Sequence, residues 1–327
     1  MRRRTFALST SACALGLDHR AWAQAPTPSW PDKPVRLVLS QPAGSGPDNV
    51  ARLMADRLAR IWGQPVVIDN KPGGQNTIGA QAAARAAADG SNFYFATTAA
   101  LVSNAYLFKQ LPYDPLKDFT PVAFVARSPF GLLVEAGAPQ RTLQDFIAAA
   151  QARPGKLTLG NEGPRSFSGM ISRLLAARLK LDINQVPYAS VGVAVQNLVG
   201  GQVDAVLADL ASTAGLLKAG RLRLLAVTSA QRVPGFDNVP ALAEAIPGFE
   251  MLGWFAIVAP TGTPAAVVQR VNRDVNALLA EREMTERIAA IGPIVDAGMG
   301  VEQVAQFLRN EHTRWAAAAR EIGLLPE

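Results

Sequence analysis

The sequence predicts an α/β protein of two lobes, with a ligand cleft between them and two segments crossing from one lobe to the other. Three observations carry this. Apolar extended runs alternate with amphipathic helical stretches twice over, from Val35 to Thr98 and from Leu143 to Thr228, the rhythm of parallel sheets with right-handed crossovers. Two Pro- and Gly-rich stretches, 111–139 and 233–264, break that rhythm. Three helical stretches then close the chain, and their natural place is back on the first sheet. One lobe is therefore expected from 31–127 with 253–327, and the other from 128–252.

The elements follow in order. The apolar run Val35, Leu37, Val38, Leu39 reads as a buried strand. It leads through SQPAGSG into a helix with Val50, Leu53, Met54, Leu58 and Ile61 on one face. Pro47 suits the first helical turn, where its missing N–H costs nothing, and Asp48 complements the positive end of the helix dipole. Val66–Ile68 gives a second strand, turned by Gly73 and Gly74. An Ala-rich helix covers 78–88, and NFYFATT (92–98) gives a third strand. The first crossing contains two extended pieces, 122–126 and 131–134, among its prolines.

A second sheet is expected from strands at 157–159, 185–187, 203–208 and 222–228, with helices at 143–153, 167–179, 191–199 and 212–219. The second crossing carries the apolar run 254–259. Helices follow at 264–279, 284–291 and 301–322, with a short strand at Ile294 and Val295. Hinges are expected near 126–129 and 248–254.

Residues 1–25, MRRRTFALSTSACALGLDHRAWAQA, combine a basic start, an apolar stretch and small residues at Ala21, Ala23 and Ala25. That pattern predicts a cleaved export signal and a periplasmic protein. Cys13 is the one cysteine of the sequence, so cleavage leaves no thiol and excludes disulfides and thiol catalysis. Of the net charge of +6, about half leaves with Arg2, Arg3, Arg4 and Arg20 against Asp18. No run of like charge remains to support nucleic-acid binding.

Enzymatic chemistry finds little footing. His19 leaves with the signal and His312 is expected on a solvated helix face, so neither a Ser-His-Asp triad nor a histidine metal site is supported. Gly44-Ser45-Gly46 begins like a dinucleotide fingerprint, but Asn49 stands where the third glycine belongs. Asp204 and Asp209 could act as an acid/base pair; a strand-end turn and a surface charge explain them equally well. No catalytic residue, metal or cofactor is therefore expected.

The candidates that remain are small polar residues at strand C-termini, where α/β sheets bind ligands. They are the 40–46 loop, Thr97 with Thr98, and GNEGPRSFSGM (160–170). The first is the general design of an anion site at a helix N-terminus, with backbone N–H groups turned toward the ligand. Arg165 opposes a helix dipole by about 0.3–1 kcal/mol, which either a ligand carboxylate or Glu162 would offset.

These motifs occur with SQPAGSGPDNVARLMADRL, GQPVVIDNKPGGQNTIGA, LPYDPLKDFTPVA, ARPGKLTLGNEG, VPYASVGVAVQNLVGGQVD, LKAGRLRLLAVTS, VPALAEAIPGFE and FAIVAPTGTP in that order. So arranged, the chain resembles the periplasmic solute-binding receptors of tripartite tricarboxylate transporters, the Bug-type receptors. The resemblance covers nearly all of the mature chain. It implies a type II-like periplasmic-binding-protein fold that closes on a small carboxylate or amino-acid-like ligand and delivers it to membrane transporter subunits. A monomer without cofactor is expected. A binding protein reporting to a sensor partner is an alternative, and an enzyme a remoter one.

Carried over by position, the ligand contacts are Ala43, Gly44, Ser45, Asp48, Thr97, Thr98, Asn161, Ser166 and Ser168, joined by Arg165 and Asp209. The family usually has proline at Ala43, glycine at Ser45, threonine at Pro47, histidine at Gly169, small residues at Glu162 and Arg165, a basic residue at Ala189, and Asp-Asn at Ala208-Asp209. An acidic Glu162 facing the cleft would repel a second carboxylate, favouring a monocarboxylate, a zwitterion or an uncharged amide.

Overall fold

The computed structural model describes residues 30–164, 166–324 and 326. The expected signal segment, with Cys13 and His19, and the candidate Arg165 lie outside the described residues.

The chain opens with β1 (Val35–Leu39), α1 (Gly46–Trp62), β2 (Val66–Asn70), α2 (Thr77–Ala84), β3 (Asn92–Thr97) and α3 (Asn104–Leu107). It passes through β4 (Phe119–Glu135) into α4 (Leu143–Ala152), β5 (Thr158–Asn161), α5 (Phe167–Leu179), β6 (Asn184–Pro187), α6 (Val191–Val199), β7 (Ala205–Asp209), α7 (Leu210–Lys218) and β8 (Leu222–Val227). It returns through α8 (Leu242–Ala245) and β9 (Leu252–Pro260) to α9 (Ala265–Ala280), α10 (Arg282–Ala289), β10 (Ile294–Val295) and α11 (Val301–Glu321). The α/β alternation and the two-lobed fold expected from the sequence are present.

The sheet differs from expectation. In place of two separate sheets and two short extended pieces, a single strand of 17 residues, β4, runs through both lobes. Its first part pairs antiparallel with β9 as far as Pro129↔Leu252, and from Phe130↔Asp209 onward β7 and β8 flank it. The strand order is β2-β1-β3-β9-β4-β7-β5-β6, with β8 and β10 also on β4. Prolines read as strand breakers are tolerated because of where they fall. Pro121 borders a register shift, and Pro129 sits at the handover between partners, where no ladder N–H is needed.

Apolar faces position the helices on this sheet. Val50, Met54 and Leu58 of α1 are buried against β1, β3, α9 and α10, each contributing about 1.5–3 kcal/mol relative to exposure. Ile61, on the same face by spacing, lies at the helix end and is 42% exposed. A second cluster runs continuously from Tyr94 and Phe124 to Phe167 and Leu207, so both lobes share one core. Within it Trp315 of α11 packs on Phe167 of α5, ring centroids 5.1 Å apart. The last helix thus belongs to the first sheet and touches the second lobe. No helix among the described residues is long and apolar enough to cross a membrane.

Candidate functional site

Between the lobes lies a cavity of about 770 Å³, walled by strand-end loops from both sides. Of the expected ligand contacts, Ala43, Gly44, Ser45, Thr97, Thr98, Ser166 and Asp209 line it; Asp48, Asn161 and Ser168 do not. The polar walls are completed by residues the sequence reading passed over: Gln41, Gln75, Asn76, Ser128, Tyr188, Ser190 and Ser212, with Phe130, Phe167, Trp254 and Phe255 supplying apolar surface.

On the first-lobe side, Asp48 is the scaffold of the loop and does not line the cavity. It is 1% exposed; its Oδ2 accepts from Gly44 N–H at 2.8 Å and Arg52 Nε at 2.8 Å, and its Oδ1 from Asn70 Nδ2 at 2.9 Å. Burial alone would raise its pKa. Bonds from Arg52, Gly44 and Asn70 outweigh burial and hold it below the usual carboxylate range.

This corrects the expected backbone grip. Gly44 N–H is committed to Asp48, Ser45 N–H to Pro42 O at 3.2 Å, and Gly46 N–H to Ser212 Oγ of the other lobe at 3.0 Å. The loop also leaves a side chain open, the buried Ser45 Oγ, which has no hydrogen-bond partner among the described residues.

The neighbouring 73–76 turn is a second first-lobe wall. Gln75 and Asn76 hold φ of 51° and 76° after two positive-φ glycines, a left-handed conformation costing non-glycine residues about 1–2 kcal/mol each. Asn76 repays it in contacts, since its carbonyl accepts from Ser40 Oγ at 3.0 Å and its Oδ1 from Gln41 Nε2 at 2.8 Å. The signal in the sequence was Pro72-Gly73-Gly74, read only as a turn. Thr97 Oγ1 accepts from Gln41 Nε2 at 3.3 Å, and Thr98 Oγ1 from Trp254 N–H at 2.9 Å, so β3's end is tied to β9 beneath the cavity.

On the second-lobe side, Ser166 caps α5, accepting from Gly169 N–H at 3.0 Å. Ser168 lies behind the loop, its Oγ accepting from Glu162 N–H at 3.0 Å. Asn161 likewise braces the turn, its Oδ1 accepting from Gly163 N–H at 2.8 Å. Gly169, where the resemblance implies histidine, permits this folding: a Cβ there would overlap Gly163 O and approach its carbonyl carbon to 2.8 Å. Glu162, in the same loop, lines the cavity.

Asp209, at the end of β7, is not a surface charge. It is 9% exposed and caps α7, taking Ser212 N–H on Oδ1 at 2.8 Å and Ser212 Oγ–H on Oδ2 at 2.7 Å. Burial, with the Asp209 charge beside it, pushes Glu162 up to about 7 against bonds from Val191 N–H and Ser168. Burial also raises Asp209. His312 is not solvated as expected but packs against Tyr106, which donates to its carbonyl at 2.7 Å, outside the cavity.

The described residues lining the cavity include no Lys, Arg or His. The arrangement is a water-accessible cleft with two carboxylates, free hydroxyl and amide oxygens and an aromatic wall, which can hold a small polar molecule by its two ends.

Residues 50–324 match the family described as "Tripartite tricarboxylate transporter family receptor". A relative from Pseudomonas sp. (strain P51), "UPF0065 protein in tcbD-tcbE intergenic region", is 35% identical over 88% of this chain and 85% of its own. Among solved structures, "R. palustris Rpa4515 with adipate" is 34% identical with a TM-score of 0.87, over 91% of this chain and 100% of that one. "MatC (Rpa3494) from Rhodopseudomonas palustris with bound malate" is 31% identical with a TM-score of 0.80, over 88% and 99%.

Proposed function

Since the chain belongs to the tripartite tricarboxylate transporter receptor family, we propose that it is an exported solute receptor. It captures a small organic carboxylate between its lobes and hands it, chemically unchanged, to membrane transporter subunits. The similar structures carrying adipate and malate support a carboxylate ligand. The observation that carries the reading is the cavity itself: about 770 Å³, walled by both lobes, with Gln41 Oε1, Ser45 Oγ, Gln75 Oε1 and Ser128 Oγ on its lining without a partner among the described residues. Buried polar atoms are normally paired, and a ligand shared by the two walls would pair them.

In this reading residues 31–127 with 253–327 are one lobe, 128–252 the other, and 1–25 a cleaved signal directing a monomer to the periplasm. Ala43, Gly44, Ser45, Thr97, Thr98, Ser166 and Asp209 are the contacts; Asp48, Asn161 and Ser168 shape the loops that present them. Titration calorimetry of the mature chain against short dicarboxylates, hydroxy acids, amino acids and aromatic acids tests it. At least one is expected to bind with micromolar affinity, about −8 kcal/mol. No binding tighter than about millimolar, roughly −4 kcal/mol, by any of them would overturn the reading.

A further inference from the structure

From the charge and hydrogen-bonding inventory of the cavity we infer that its ligand is an amino carboxylate, whose ammonium group is received at the second-lobe wall by Glu162 and Asp209. This inference rests on the receptor reading and names the substrate class within it.

Three observations meet here. The two ionisable carboxyl groups on the lining, Glu162 and Asp209, face one space with no Lys, Arg or His among the described residues around it. Ala189 also lines it, where the resemblance implies a base. A dianion would bring more negative charge against two carboxylates of low solvent access, and like charges there are costly. A ligand ammonium instead supplies a counter-charge that none of the described lining residues provides.

The second observation is independent of charge. Ser128 is 2% exposed, lines the cavity, and its Oγ has no partner among the described residues. Ser128 and Phe130 are two apart on β4 and so share a face, and Phe130 is the register partner of Asp209. The unpartnered hydroxyl therefore looks out on the same side of the sheet as Asp209.

The third is the sense of the unmet hydrogen bonds. Gln41 spends its amide nitrogen on Asn76 Oδ1 and Thr97 Oγ1, and neither its oxygen nor Gln75 Oε1 has a partner among the described residues. Amide oxygens and carboxylates only accept. These oxygens on the first-lobe wall can accept from a ligand N–H, and the unpartnered Ser45 and Ser128 hydroxyls can donate to a ligand carboxylate, so the cavity offers partners to both groups of an amino carboxylate. The raised Glu162 pKa agrees, since burial and the Asp209 charge raise it and no described residue on the lining is a cation.

The test compares acids in which one terminal carboxylate is replaced by ammonium at equal length: succinate with 3-aminopropanoate and adipate with 5-aminopentanoate. Each is titrated at pH 8 into the mature wild type and the Glu162→Gln and Asp209→Asn variants, whose folding is checked by circular dichroism. The amino acid of at least one pair is expected to bind the wild type tenfold or more tightly than its diacid, and Glu162→Gln to cut that preference at least tenfold. Diacids binding as well as or better than both amino acids would overturn the inference and leave the receptor reading standing. So would a preference untouched by both variants. Diacid binding that vanishes in Arg165→Gln would assign the counter-charge to that arginine instead. If none of these acids nor any of the wider carboxylate panel binds, the receptor reading itself fails.

Discussion

Gly46 of the first lobe donates its backbone N–H to Ser212 Oγ of the second at 3.0 Å, so the N-terminal ends of α1 and α7 meet across the mouth of the cleft. Ser212 in turn donates to Asp209, which links the lobe contact to a carboxylate on the cavity wall. The approach leaves no room for a side chain at Gly46: a Cβ would overlap Asp209 Oδ1 and come within 2.8 Å of Ala211 Cβ.

Replacing Gly46 by Ala is therefore expected to hold the lobes apart. Ligand affinity should fall tenfold or more, about 1.4 kcal/mol, while the melting temperature of the ligand-free protein changes little, since Gly46 lies at the cleft mouth and outside the apolar core that the lobes share. Calorimetry and thermal unfolding of the variant check both halves of this expectation.

Lobe closure itself should be visible in solution. β4 changes partners at Pro129 and Phe130, and β9 begins at Leu252, so bending is expected near 126–129 and 248–254. Small-angle scattering should give a smaller radius of gyration with a bound carboxylate than without. Identical profiles would argue for a rigid cleft.

Glu162 gives a pH dependence whose sign is fixed. Its pKa is about 7 folded against 4.5 as the ordinary value, so between those pH values the folded state binds the extra proton. Stability therefore falls as pH rises through that window. Glu162→Gln removes the loss and should exceed the wild type at pH 8 by on the order of 2 kcal/mol, the gap closing toward pH 4. Urea unfolding at the two pH values measures it.

Asp48 has the opposite sign. Its folded pKa is lowered, so its contribution is present above the ordinary carboxylate pKa and lost as pH falls through the lowered value. Asp48→Ala leaves Gly44 N–H and Asn70 Nδ2 without their acceptor and should cost about 2–4 kcal/mol. It should also weaken ligand binding by loosening the 41–46 loop, which calorimetry on the folded variant would detect.

The legible parts of the fold were those governed by local periodicity. Helices Phe167–Leu179 and Val191–Val199 appear with the bounds their spacing predicted, because an apolar stripe and a serine cap mark each one in sequence. β4 was read as two pieces because Pro121 and Pro129 break strands locally, and only the tertiary arrangement supplies the bulge and partner exchange that accommodate them. At the site, strand ends could be located from sequence, but the direction of a side chain could not. Asp48 and Ser168 turn inward to hold loops, whereas Gln41, inside the marked 40–46 loop but not singled out, and Ser128, unmarked by any motif, turn into the cavity. Asp209 was named among the contacts while a surface charge explained it equally well, because nothing nearby in sequence shows α1 arriving beside it.

The central claim, a small carboxylate held between the two lobes, is tested most directly by a crystal structure of the mature chain grown with the tightest-binding acid of the panel. Ligand density bridging the Gln41, Gln75 and Thr97 wall to Ser128, Glu162 and Asp209 is the expected result. Density at any other place on the protein, with this cleft holding only solvent, would contradict it.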